Sequence, residues 1–240
     1  MTVTTRTKVE LLKIKFSNQF KIDNETLDRF SQDWTKHFIQ RPLGVFFPLS
    51  SEELSDFVKF ANQEKIELVP AGGLTGLSGG ATAMSSTQVV ISLERMNKIL
   101  DYYGNDNAVK VQSGVITSVV QEYVQERNLF FPVDFAAKDS STIGGNIATN
   151  VGGINVIRYG NIRNWVSGIT VVTGKGEILH LNNGLIKNAT GYDLKNLFIG
   201  SEGTLGIITE ATLQLTETPK STVSVLLAVP CVDFLSHVLT

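Results

Sequence analysis

Pro70-Ala71-Gly72-Gly73-Leu74-Thr75-Gly76-Leu77-Ser78-Gly79-Gly80-Ala81 is the stretch whose reading decides the fold. Five of its twelve residues are glycine, and Thr75 and Ser78 add hydroxyls. Apolar runs flank it, Ile66–Val69 before and Val89–Leu93 after, so the order is strand, loop, strand rather than strand, loop, helix. Glycine permits positive φ and lets a ligand approach the main chain closely. Successive uncovered amides in such a turn form a concave, positively polarised nest suited to phosphate. The loop therefore points to the pyrophosphate of a dinucleotide, with a plain surface loop as the alternative. It is not a Walker A loop, because no Lys occurs between Lys65 and Lys98. Nor is it a Rossmann fingerprint, because Gly73, Gly76 and Gly79 have the wrong spacing and a β-branched run follows.

Outward from the loop, composition narrows the choices. The chain has 240 residues, 42% hydrophobic and 18% charged, which fits one large domain or two small ones. A net charge of −2 without a basic run gives no footprint for nucleic acid. Cys231 is the single cysteine, which excludes an internal disulfide and a cysteine-cluster metal site. The first twenty residues lack a signal-peptide core, and no apolar run reaches the roughly 20 residues of a membrane span. The expectation is a cytoplasmic protein with no transmembrane segment. Of 21 glycines, only Gly44 lies outside the interval Gly72–Gly206, as expected if the main chain wraps a ligand there.

Along the chain, Leu11, Leu12 and Phe16, then Leu27, Phe30 and Trp34, predict two short helices within residues 1–40. Asp33-Trp34-Thr35 reads as a local turn. A strand at Val45–Pro48, a helix from Ser50 to Glu64 with acidic residues in its first turn, and a strand at Ile66–Pro70 form a βαβ unit that delivers the loop. Strands follow at Val89–Leu93 and Ala108–Gln112, then a helix over Ile116–Arg127 and a strand at Leu129–Pro132. Trp165–Val172 and Ile178–Leu181 form a hairpin, Ala211–Leu215 an alternating strand, and Val223–Val229 and Val232–Leu239 a further strand and helix.

Two more segments share the loop's character. Asp139-Ser140-Ser141-Thr142-Ile143-Gly144-Gly145-Asn146-Ile147-Ala148-Thr149-Asn150-Val151-Gly152-Gly153-Ile154 carries two Gly-Gly pairs around a small-residue helix. Its backbone and Asn amides could reach a flat ligand; a tight helical hairpin packed on small residues is the alternative. The other is Gly200-Ser201-Glu202-Gly203-Thr204-Leu205-Gly206-Ile207-Ile208-Thr209.

Read together, these segments, with Arg158-Tyr159-Gly160 and Lys187–Leu194, resemble the FAD-linked oxidases of the vanillyl-alcohol-oxidase or PCMH-type fold. The similarity covers about residues 33–220, and the branch of D-lactate, D-2-hydroxyglutarate and glycolate dehydrogenases is the nearest. The resemblance implies an α+β fold of two FAD-binding subdomains, 41–115 and 116–218. An N-terminal helical segment would occupy 1–40, and 219–240 would begin a truncated substrate or cap domain. It implies that Gly72, Gly73, Leu74, Thr75, Gly76 and Leu77 cradle the FAD pyrophosphate, and that Pro132 and Asp134 lie beside the flavin. Thr142, Gly144, Gly145, Asn146, Ala148, Asn150 and Gly152 would line pyrophosphate and isoalloxazine. Glu202, Gly203, Gly206 and Ile208 would lie near the adenosine half, Ile208 through its backbone.

The chain departs from that pattern in places. Ala71 stands where relatives often carry Arg, and Leu74 where they carry Gly or Asn; Leu74 is tolerable there if its φ is negative. Thr75 occupies the position of a flavin-attaching His in some relatives, so FAD binding is expected to be non-covalent. The activity implied is oxidation of a D-2-hydroxy acid by hydride transfer to FAD, with a quinone, cytochrome or electron-transfer flavoprotein as acceptor. The family's metal-binding and catalytic histidines lie in its cap. None of His37, His180 and His237 matches them, so no catalytic or metal residue is assigned. A flavin-binding module or fragment that is catalytically incomplete without a further domain or subunit stays open, as do a homodimer or a partner subunit and a location peripheral to a membrane. Arg158 and Lys187 are candidates to stabilise a reduced flavin, with surface ion pairs as the alternative.

Overall fold

The computed structural model describes residues 3–226, 228 and 231. In chain order its elements are α1 (Val3–Lys15), β1 (Phe20–Lys21), α2 (Asn24–Arg29), β2 (Gly44–Phe46), α3 (Ser51–Glu64), β3 (Leu68–Ala71), β4 (Val89–Ser92), β5 (Ile99–Tyr103), β6 (Ala108–Gln112), α4 (Thr117–Gln125), β7 (Leu129–Phe130), α5 (Ile143–Ala148), α6 (Val156–Tyr159), β8 (Val166–Thr173), β9 (Ile178–Leu181), α7 (Lys195–Phe198), β10 (Gly206–Gln214) and β11 (Thr216–Glu217).

They form an α+β fold with two principal sheets. The smaller has the order β1-β2-β4-β3, with β4 parallel to both β2 and β3. The larger, β5-β6-β10-β8-β9, is antiparallel throughout. The βαβ unit is present, but β4 is inserted between its two strands. β5 was not expected as a strand, and both β5 and β6 pair in the larger sheet. The change of sheet therefore falls between Ser92 and Ile99, ahead of the boundary expected near residue 115. Residues 223–226 are exposed and carry no strand, and Val232–Leu239 lies outside the described residues.

Helix α3 ties the two sheets together. Its start is fixed by Ser50, whose hydroxyl accepts from the Glu53 amide at 3.2 Å. Leu54, Phe57, Val58 and Ala61 recur at helical spacing and are buried. Phe57 stacks on Phe46 of β2 at 3.7 Å between ring centroids. Toward the larger sheet, the Ser51 hydroxyl bonds the Thr209 hydroxyl at 2.7 Å, and Asn62 donates to the Gly174 carbonyl at 2.8 Å. Thr209 reaches Ser51 because β10 carries a register irregularity between Ile208 and Glu210. On the other face of the larger sheet, Val120 and Val124 of α4 and Ile143 and Ile147 of α5 build a second core with Phe131 and Val171. Burying each such side chain stabilises the fold by about 1.5–3 kcal/mol.

Candidate functional site

The fold brings the three glycine-rich segments into one place, the first from the turn after β3, the second around α5, the third leading into β10. The first meets the second at Gly72 and Gly73. A Cβ on Gly72 would lie 2.9 Å from the Thr142 hydroxyl and 3.2 Å from Gly145 Cα, and one on Gly73 would overlap the Ser140 carbonyl oxygen. The first meets the third where a Cβ on Gly203 would come within 2.8 Å of the Pro70 ring. The second and third are joined by main-chain bonds, Glu202 N–H to Ala148 O at 2.8 Å and Gly200 N–H to Ile147 O at 3.0 Å.

Glycine's role in the first segment differs from the expectation. Neither Gly72, Gly73 nor Gly76 takes a positive φ, whereas Gly79 does, at 79°. Gly72 and Gly73 are needed for room instead. Leu74 itself sits at φ 57°, not at the negative φ under which a side chain was expected to be tolerable. That conformation costs about 1–2 kcal/mol for a residue with a Cβ. The Leu74 side chain offsets it by packing against the small core of Phe30, Val45 and Val90.

Among the described residues, the backbone amides of Gly73 through Ser78 find no acceptor in the protein. Six successive donors are thus left for solvent or an anion. Gly76 lies in their midst, and a Cβ there would meet nothing within 4 Å. Thr75 is half-buried, and Leu77 is exposed.

The second segment contains residues of two kinds. Thr142 caps α5 by accepting from the Gly145 amide at 3.4 Å, and Gly144 is buried against Ser113. Asn146 faces inward: it is buried, and its amide donates to the Thr117 hydroxyl at 2.6 Å, beside Ser141. Gly145, Ala148 and Asn150 are partly exposed on the side of the other segments, Asn150 at φ 48° with its Oδ1 accepting from the Arg163 amide. Gly152 is half-buried against Val156. Pro132 and Asp134 are tied to this segment by main chain, Pro132 O accepting from the Asn155 side chain and Asp134 O from the Ile154 amide at 2.9 Å. The Asp134 carboxylate pairs with Lys138 at 3.0 Å, which raises the lysine's pKa.

In the third segment Glu202 is exposed at φ 52° and Gly203 half-buried at φ 79°. Gly206 and Ile208 are already inside β10, paired with Thr173 and Val171, and the Ile208 side chain is in the core. Arg158 and Lys187 are exposed and form no ion pair among the described residues; Arg158 lies over the Tyr159 ring. His37 is a surface residue edge-on to Phe38, and His180 sits on β9 bonded to Thr170.

Two positions that the sequence did not place in the site hold the segments. Arg163 donates to Asn196 and to the Ile199 carbonyl, fixing the approach to Gly200. Asp33, read as part of a turn, accepts from the Gly79 amide at 3.0 Å. The Asp-x-Thr spacing marks a side-chain turn, but nothing local points to Gly79. Separately, a cavity of about 300 Å³ borders the Lys187–Leu194 motif, lined by Asn188, Tyr192, Asp193 and Lys195 among others.

A family model described as an FAD binding domain matches residues 42–182. The chain belongs to the FAD-binding domain family. In this FAD-binding domain the match contains the first two glycine segments, and the structure adds the third. The chain is 49% identical over 217 residues to a D-2-hydroxyglutarate dehydrogenase of Stutzerimonas stutzeri (strain A1501), covering 90% of this chain and 47% of that protein. It is 44% identical over 187 residues to a D-lactate dehydrogenase of Anaerostipes hadrus, covering 78% of this chain and 39% of that one. Among solved structures, an alkyldihydroxyacetonephosphate synthase superposes with a TM-score of 0.78 at 26% identity, over 90% of this chain and 41% of that chain. The chain thus spans about half the length, or less, of these relatives. Among the described residues no helix is long and apolar enough to cross a membrane.

The residues present fit FAD. The uncovered amides suit a pyrophosphate, the space at Gly76 leaves main chain accessible, and the neighbouring segments offer mainly small residues, the exposed Glu202 carboxylate being the charge beside Gly80.

Proposed function

We propose that this domain binds FAD non-covalently for a flavoprotein dehydrogenase that oxidises a D-2-hydroxy acid of the lactate, glycolate or 2-hydroxyglutarate type. The observation that carries the binding mode is the run of six acceptor-free amides at Gly73–Ser78, set beside α5 and the Gly200–Gly206 segment. These amides would bind the pyrophosphate, with Thr75 and Leu77 exposing their main chain at its edge. Gly145, Ala148, Asn150 and Gly152 would line the second half of the site, with Pro132 and Asp134 behind them. Glu202 and Gly203 would close it on the adenosine side. Asn146 and Gly144 would act indirectly, by setting the position of α5. Bound FAD supplies the hydride acceptor that turns the 2-hydroxy acid into the 2-oxo acid, and the chemistry of that transfer belongs to the cofactor. Thr75 offers no imidazole for covalent attachment. The relatives' names support the substrate class, and a quinone, cytochrome or electron-transfer flavoprotein would take the electrons onward. A cytoplasmic location belongs to the same reading.

A second reading keeps the cofactor but makes the domain catalytically incomplete without a further domain or subunit. It is favoured by the two described histidines: His180 sits on β9 bonded to Thr170 and His37 is edge-on to Phe38, so neither is hydrogen-bonded into the glycine segments as a base for the substrate's hydroxyl proton. The visible absorption spectrum of the purified chain, before and after acid precipitation, tests the binding. Flavin bands that pass into the supernatant are expected. A colourless chain that takes up no added FAD would overturn it. Bleaching of those bands by a D-2-hydroxy acid under anaerobic conditions separates the two readings.

A further inference from the structure

We propose that Asp33 is a positioning residue for the glycine loop, holding its far end so that the amides of Gly73–Ser78 keep one arrangement for an anion; this rests on the FAD reading above. The near end is anchored by backbone: Ala71 is paired with Ser92 in the β3–β4 ladder, and Gly72 and Gly73 abut Ser140 and Thr142. Beyond Gly73 the main chain makes no hydrogen bond from its amides until Gly79. There the Asp33 carboxylate, 5% exposed and 46 residues earlier in the chain, accepts from Gly79 N–H at 3.0 Å. Its other oxygen accepts from the Thr35 amide at 2.9 Å and from the Thr35 hydroxyl. The Gly79 carbonyl then accepts from Thr82 N–H at 3.0 Å. Phe38 lies over the same glycine, 3.2 Å from where a Cβ would stand. Gly79 is thus held by a carboxylate, a ring and a turn at a φ of 79° that few other residues adopt.

A free carboxylate beside a pyrophosphate loop would repel the ligand. Here both oxygens are occupied by donors, and the charge is directed at the Gly79 amide and Thr35 rather than left facing the loop's free amides. The arrangement shortens the unanchored stretch to the residues that carry the free donors. Order imposed before binding need not be imposed by the ligand, which is how preorganisation raises affinity.

The test compares wild type, Asp33→Ala and Asp33→Asn in the full chain, by FAD titration and by amide hydrogen exchange without flavin. The expected result is a dissociation constant for FAD raised about ten-fold or more in Asp33→Ala. In Asp33→Asn, whose side-chain carbonyl can still accept from Gly79, most of the affinity should return. Exchange at Gly79 should be slowed in the flavin-free wild type and fast in Asp33→Ala, with the β3–β4 amides unchanged. A folded Asp33→Ala chain that binds FAD as tightly as wild type overturns the proposal alone. So does an unprotected Gly79 amide in the wild type, a measurement that needs no variant to fold. A wild type that binds no FAD at all overturns the cofactor reading on which the proposal stands.

Discussion

At the scale of single residues, glycines that look alike in the sequence do different work. Gly73 has no room for a Cβ because the Ser140 carbonyl occupies it, whereas Gly76 has open space on that side. Gly73→Val should therefore lower stability by about 1–3 kcal/mol, as overpacking does. Gly76→Val should leave the stability of the flavin-free protein, read from urea unfolding, within about 0.5 kcal/mol of wild type. It should nevertheless weaken FAD binding, because the new side chain enters the space over the free amides. Equal FAD affinity in Gly76→Val would place the ligand elsewhere. The residue types of the candidate site were legible in the sequence, since Gly, Thr and Asn cluster locally. Their individual reasons were not: whether a glycine serves φ or room depends on Ser140 or Pro70, which lie far along the chain. The inward-facing Asn146 and the positive φ of Leu74 were hidden for the same reason. Asp33 also makes a pH prediction. The hydrogen bond from the Thr35 side chain, then the Gly79 and Thr35 amides, hold its pKa below the ordinary aspartate value. A carboxyl with a depressed folded pKa contributes stability above its unfolded pKa and loses it as pH falls through the folded value. The stability gap between wild type and Asp33→Asn should accordingly be full at pH 7 and shrink below pH 3.8, the ordinary value, in urea melts.

At the scale of elements, α3 shows how local signals fix a helix and where they stop. Its start was readable from Ser50 and the acidic first turn, and its buried face from the spacing of Leu54, Phe57, Val58 and Ala61. Ser50→Ala should cost about 1 kcal/mol, through the lost bond to the Glu53 amide. At the other end Lys65 caps the helix at φ 52°, donating its amide toward Ala61 and Asn62. Lys65→Gly should raise stability by about 1 kcal/mol, since glycine adopts that conformation without the Cβ penalty. Both changes are read as shifts of the urea midpoint at constant slope; a slope change would mean the unfolded state had moved instead. The strands were harder to place than the helix. β5 has one half-buried and four exposed residues, so it lacks the apolar alternation that would have marked it. The membership of β5 and β6 in the larger sheet is decided by β10, about a hundred residues downstream. Periodicity shows that a segment is a strand, but not which strand it will meet.

At the scale of the whole molecule, the candidate site belongs to neither sheet alone. The first glycine segment issues from the smaller sheet, the third enters the larger one, and α5 packs between them against β10. A ligand held by all three would stabilise their mutual arrangement together with the inter-sheet bonds of Ser51 and Asn62. Binding to the folded state alone raises stability by about 2.7 kcal/mol when free ligand reaches a hundred times its dissociation constant. For a chain of this length that is a rise of about 5–11 °C in the thermal midpoint. The rise should grow with FAD concentration, and unfolding should stay a single transition, because the segments are shared between the sheets. FMN carries a phosphate but no pyrophosphate, and riboflavin carries neither. If the amides of Gly73–Ser78 provide the main contact, the shift should fall steeply from FAD to FMN and nearly vanish with riboflavin. Equal shifts for all three would move the binding determinant to the isoalloxazine ring and away from the loop. A second transition that FAD leaves unmoved would mean that one sheet unfolds without regard to the site.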